Sequence, residues 1–334
     1  MTATADRTMV PGYTHVPGNH CGSTALRNLL AFHGVEISEA MAFGLGAGAC
    51  FFYVTLEGQS PSRFTNGRAA RLEENFLELT GVEVVLETDD DEAASWELAR
   101  RVVDSGRPAI LLTDLYHLDH YGNSAHFPGH AVVLAGYDDE VAYLSDTGFE
   151  ELQTTRLENL ARARHEGNPI FPLAGHMLHL PDGTDPGDVV AAAPRAIARA
   201  TSEMLEPALE GFQGISALER LADEVGDWPE QAEDWAWCAR FLYQVIERRG
   251  TGGGNFREMY GGFLRELEHP LSPLAFEASA RWSALAEAAR AASEPEEPVP
   301  AHWRLLSERV DEVLAAEREL WTGLAQAGLA NRAK

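Results

Sequence analysis

A chain of 334 residues is long enough for one large domain or two ordinary ones, each with a core of its own. Hydrophobic residues make up 45% and charged residues 23%, an ordinary globular balance, and no apolar run approaches the roughly 20 residues that a bilayer span needs. Lys and Arg number 26 against 52 Asp and Glu, a formal charge of -26, which repels polyanions, argues against nucleic acid as a partner and favours cationic molecules.

The segment MTATADRTMVPGY has neither a basic head with an apolar middle nor an amphipathic transit pattern, so a cytoplasmic protein with no membrane partner is expected. The loop GYTHVPGNH then runs into CGSTALRNLLAFHG, a helix with Ala25, Leu26, Leu29, Leu30 and Phe32 on its apolar face and Gly34 as its stop. A helical SEAMAF and an apolar GLGAGACFFYV follow. Beyond them come a helix in RLEENFLELTG, a strand in VEVVLET, a helix in EAASWELARRVVDSG and a strand in PAILLTDL. HAVVLAGY and EVAYLSD read as a hairpin around an Asp-Asp-Glu turn, and GHMLHLP as a further strand. PDGTDPGDV at 182–190 is a linker. It divides a mixed α and β domain, 1–182, from a helical domain, 190–334, in which apolar residues recur at helical spacing in every segment. Trp235, Trp237, Phe241, Tyr243 and Trp282 are expected in the core of that second domain.

The cysteines Cys21, Cys50 and Cys238 form no CxxC pair, so neither a disulfide framework nor structural zinc is expected. Cys50 lies in an apolar run and Cys238 inside a patterned helix, and both read as structural. Cys21 opens the first helix. There the positive end of the helix dipole and the first-turn N–H groups favour a thiolate and lower the thiol pKa from about 8.5. The small Gly22, Ser23 and Thr24 leave room for a substrate carbonyl. A cysteine in this position also fits a small packed hydrophobe; what separates the two readings is whether a base is at hand.

His130 begins one hairpin strand and Asp146 ends the next, and antiparallel pairing brings those positions side by side. A thiol nucleophile needs a general base, and the base needs a third group that fixes its tautomer and steadies its charged form. Cys21, His130 and Asp146 supply the three in chain order.

With these residues in view, NHCGSTALRNLLAFHG, SEAMAFGLGAGACFFY and HFPGHAVVLAGYDDEVAYLSDT resemble, in order, the opening helix, glycine-rich segment and histidine hairpin of the butirosin biosynthesis protein H family of acyltransferases, which belong to the papain-like cysteine enzymes. The likeness covers most of residues 13–150. The helical half, with GTGGGNFREMYGGFL, is similar to the domain usually fused to it. The resemblance implies an α+β protein, a papain-like cysteine protease fold followed by an all-α domain. It implies acyl transfer from a carrier-protein thioester to an amine-containing small molecule, with Cys21 as nucleophile, His130 as base and Asp146 as orienting acid. The donor would be an acyl carrier protein bearing a phosphopantetheine arm, and no other cofactor is expected. Papain-like peptidases usually place a glutamine before the cysteine as oxyanion donor. Here the sequence reads HVPGN, leaving Asn19, His15 or the Cys21 amide for that role. The same three residues would also serve an amide hydrolase or peptidase, or an intramolecular cyclase. A non-catalytic binding protein would keep the cleft without a reactive Cys21.

TDLYHLDHYGNSAHFPGH holds His117, His120, His126 and His130 beside Asp114 and Asp119. Pro128 and Gly129 break any helix that would put His126 and His130 on one face, so no metal is expected. The stretch reads as a loop walling the cleft, with Asp114, Tyr116 and His126 as substrate contacts, although Asp114 fits a loop cap equally well. GLGAGA follows a helical segment where a dinucleotide loop would follow a strand, and GTGGG lacks the Lys-Ser tail of a phosphate loop. The latter is followed by Arg257 and Tyr260 on one helical face, a second candidate contact with substrate. Arg248, Arg249, Arg257 and Arg265 form a candidate basic patch for an acidic carrier.

Overall fold

The β-branched and leucine-rich stretches of the front half gather into one antiparallel sheet in the computed structural model, which describes residues 7–123, 125–167 and 172–332. The strand order is Val85–Glu87, Met177–His179, Ala109–Asp114, Pro128–Tyr137, Val141–Ser145 and Gln153–Arg156, with Thr8–Met9 also paired to Pro128–Tyr137. The two central strands, AILLTD and PGHAVVLAGY, are buried almost throughout. Such strands are covered on both faces and so read as continuous apolar runs without alternation. Alternate residues Ala109, Leu111, Val132 and Leu134 join Ala99, Val102, Val103, Leu160 and Ala163 in one core, contributed by the helices Glu92–Asp104 and Leu157–His165. The opening helix, Cys21–Phe32, also packs on the strand Pro128–Tyr137. It buries Ala25, Leu26, Leu29 and Leu30 and ends before Gly34, whose φ of 84° is left-handed, as a helix stop requires.

The chain forms two compact units: Met1–Ala42 with Gly81–Asp188, and Phe43–Thr80 with Val189–Lys334. The change of unit at Asp188 falls inside the predicted linker, but the predicted first domain, 1–182, is interrupted, because residues 43–80 belong to the second unit. The second unit is not purely helical either. It contains the hairpin Ala49–Thr55 and Arg63–Arg68 beside the helices Leu72–Thr80, Ala193–Leu205, Gly214–Glu224, Trp235–Glu247, Arg257–Glu266, Ser272–Ser293 and Pro300–Arg332. The reason is aromatic packing: Phe51 lies against Trp282, Tyr53 against Trp228 and Phe64 against Phe241, with ring centroids 5.2, 6.1 and 5.5 Å apart. Each such ring buries a large apolar area. Trp282 is sealed as expected, whereas Trp237 keeps 37% of its surface exposed. No helix among the described residues is long and apolar enough to cross a membrane.

Candidate active site

Cys21 is the first residue of its helix and is partly exposed. His20 caps that helix, its side chain accepting from the Ser23 N–H. The approach to the cysteine is held by Glu39, which no local motif marks as a site residue. One Glu39 carboxylate accepts from the backbone N–H groups of Asn19 and His20 at 2.9 and 2.7 Å, the Asn19 side-chain amide at 3.2 Å and the Thr24 hydroxyl at 3.0 Å. Charge-assisted bonds of this kind are among the stronger ones, and together they set the entry angle of the helix. Gly18 is required here because a Cβ would collide with Thr24 Oγ1 and the Glu39 carboxylate.

His130 owes its placement to a bulge. Thr113 pairs with His130 and Asp114 with Pro128, so one extra residue, Gly129, is accommodated at a φ of 87°, a conformation that glycine adopts freely. On the other side of the strand Val133 pairs with Ser145, which brings the next residue, Asp146, to the strand segment that carries His130. His130 Nε2 lies 2.9 Å from Asp146 Oδ1. Its imidazole is also hydrogen-bonded to the Cys21 side chain, completing a chain from thiol to imidazole to carboxylate. Asp146 is fully buried, and its second oxygen bonds His120 Nε2 at 2.8 Å. One carboxylate thus holds two imidazoles. Tyr121 and Phe149 wall this pair, Tyr121 edge-on to His130 at 5.7 Å and Phe149 edge-on to His120 at 5.0 Å.

The electrostatics follow from burial and pairing. Burial alone would push the His130 pKa down. The charge and hydrogen bond of Asp146, joined by Cys21, outweigh it and raise the imidazole to about 10. Burial alone would raise Asp146, but His130 and His120 hold its carboxyl well below the usual carboxylate range. Burial, then the negative charges of Asp146 and Cys21, keeps the Tyr121 phenol protonated. The attraction is reciprocal, so an imidazolium at His130 favours a thiolate at Cys21. The other two thiols differ: both are buried, and burial pushes Cys50 up to about 12 and Cys238 upward as well, which leaves them unreactive, as the sequence implied.

The remaining predicted residues divide sharply. His15 is not an open oxyanion donor, because Nδ1 meets Ser145 Oγ at 2.7 Å and Nε2 meets the Phe149 carbonyl at 2.8 Å. With both ring nitrogens engaged, and with Gly18 N–H donating to the Thr147 carbonyl at 3.0 Å, His15 instead fastens the cysteine loop to the loop after Asp146. Asn19 is exposed and commits one of its two amide hydrogens to Glu39. Asp114 is buried and caps a turn, accepting from the N–H groups of Tyr116 and Phe127 and from His126. His126 stacks on Tyr116, with centroids 4.0 Å apart. Arg257 and Tyr260 are corrected outright. Both have no exposed surface, so neither offers a face to substrate, and Arg257 drops out of the basic patch. Its guanidinium pairs with Glu317 at 2.7 Å inside the helical unit.

The arrangement is that of an α+β protein in which a partly exposed cysteine, an imidazole and a sealed carboxylate lie next to one another. Two family models cover its chain: butirosin biosynthesis protein H, N-terminal, over residues 20–147, and a domain of unknown function (DUF4872) over residues 158–324. The chain belongs to the butirosin biosynthesis protein H-like family. No curated protein matches it.

Proposed function

We propose that the protein is a cysteine-dependent acyltransferase of natural-product biosynthesis, built on a papain-like catalytic unit. The observation that carries this reading is the hydrogen-bonded chain from a partly exposed Cys21 through His130 to a buried Asp146. The order of a cysteine at a helix start, then a histidine and an aspartate on successive sheet strands, supports the papain-like assignment.

Cys21 thiolate adds to the carbonyl of a pantetheine thioester, and the donor thiol departs as the C–S bond breaks, taking the proton from His130. The acyl group then rests on Cys21. An amine adds to it while neutral His130 accepts the amine proton, and Cys21 leaves as thiolate. Thioester exchange is nearly level in energy, so amide formation gives the sequence its direction. Asn19, with a second amide hydrogen uncommitted to Glu39, and the N–H groups at the start of the helix would supply the oxyanion donors.

Intact-protein mass spectrometry after incubation with acyl-pantetheine thioesters tests this. The expected result is a single acyl adduct on the wild type, none on Cys21→Ala, and discharge to an amide when amines are added. Release of free acid with no amide in the presence of amines assigns a hydrolase instead. A lactam formed without added amine assigns a cyclase.

A further inference from the structure

Beside the thiol site, the loop that reads as a cleft wall brings a second set of polar groups together. Asp114 is the cap of a 3-10 turn, Leu115–His117. Such a turn has three residues per revolution, so Asp114 and His117 eclipse each other on one side. His126 returns from the other direction, just before the strand Pro128–Tyr137 that pairs with Asp114. One donor atom from each of Asp114, His117 and His126 lies within 4.8 Å of the other two.

We propose that Asp114, His117 and His126 form a binding site for a zinc-class divalent transition metal, a reading independent of acyl transfer. Two imidazoles and a carboxylate are the donor set that such ions prefer. The carboxylate is held in place: Asp114 Oδ1 is fixed by the Tyr116 and Phe127 N–H groups at 3.1 and 2.8 Å, and Oδ2 is hydrogen-bonded to His126 Nδ1 at 2.8 Å, a proton that a bound metal ion would displace. Outer hydrogen bonds of this kind orient metal ligands. His126 is 63% exposed at its side chain, yet its ring is held on Tyr116, so the site is ordered and open to ions from water. The second pointer is His117, 9% exposed, whose buried Nε2 has no hydrogen-bond partner. The Glu166 carboxylate approaches that nitrogen to 3.2 Å without the alignment of a hydrogen bond, adding negative charge at the rim. Three protein ligands leave one position of a tetrahedral ion for water or an oxygen-bearing ligand.

The test uses full-length untagged protein carrying Cys21→Ser, which removes the competing thiolate. After chelator treatment it is titrated with zinc sulfate by calorimetry, and with cobalt(II) by visible absorption. The expected result is one equivalent bound with a Kd of about 1 μM or tighter, a cobalt spectrum of tetrahedral nitrogen and oxygen ligation, and a melting temperature raised by zinc. His126→Ala, at an exposed position that the fold does not need, should weaken binding more than about 10-fold, as should His117→Ala, with circular dichroism confirming that each variant is folded. Absence of a one-equivalent site, or zinc affinity unchanged in His126→Ala, overturns the proposal.

Discussion

Each unit of the molecule buries a charged pair, and the two pairs are built to opposite ends. In the helical unit Arg257 and Glu317 are both fully sealed. Glu317 accepts from Arg257 Nε and Nη2 at 2.7 and 3.0 Å and from the indole N–H groups of Trp282 and Trp321 at 2.6 Å each. Arg257 Nη1 donates to the carbonyls of Cys50, Gly67 and Asn255. These partners are carbonyls and indoles, none of which titrates, so the pair is a structural tie between the hairpin and the helices of its own unit. In the sheet unit Asp146 is sealed just as completely, but beside the Tyr121 hydroxyl it holds two imidazoles, and one of them reaches a partly exposed thiol. Burial is common to both. What distinguishes a structural pair from a chemical one is whether a proton can move and whether a reactive atom meets solvent.

Substitutions that attack each pair sharpen this contrast. The largest effect is expected from Arg257→Met, which strands a buried carboxylate and three carbonyls. It should lower unfolding free energy by about 3–5 kcal/mol, read by urea denaturation. A loss below about 1 kcal/mol would mean that water or repacking relieves the site.

The second effect is spread over pH and belongs to the sheet unit alone. His130 is raised from about 6.5 when unfolded to about 10 when folded, so its contribution to stability is complete below about pH 6.5 and is lost as pH rises through about 10. Asp146 is shifted the other way. Its contribution is present above about pH 3.9 and is lost on acidification through its lowered folded value. The stability difference between wild type and His130→Ala should therefore narrow from pH 6 to pH 10. An equal gap at both pH values contradicts the pairing.

The smallest effect concerns the clamp. Glu39→Ala should lower the unfolding free energy by only about 1 kcal/mol while slowing alkylation of Cys21 by iodoacetamide about tenfold, because the helix start is no longer held in register with His130. An unchanged rate would reduce Glu39 to a local tie.

Several features were legible in residue order because they depend on neighbours along the chain. The opening helix, its Gly34 stop and the hairpin carrying His130 and Asp146 all follow from local periodicity and turn chemistry, and so does the burial of Cys50 and Cys238. The errors share one cause. His15 and Arg257 have the chemistry of ligand-binding groups, and only their distant partners, Ser145 and Phe149 for the first and Glu317 for the second, turn them inward. Glu39 reads as an ordinary acidic residue opening a helix, and nothing within a few positions of it marks the donors that it holds. His120 stands in a dense histidine run, and residue order carries no sign that it shares a carboxylate with His130.

Composition and periodicity alone determined that this is an acidic α and β chain with one cysteine at a helix start and a histidine and an aspartate on neighbouring strands, because these properties depend on residue type and short spacing. The tertiary structure decided which buried charge is inert and which faces a thiol, that residues 43–80 leave the sheet for the helices, and that Asp114, His117 and His126 converge. Such outcomes rest on contacts between residues far apart in the chain, where the burial of large side chains and the pairing of buried polar groups outweigh local preference.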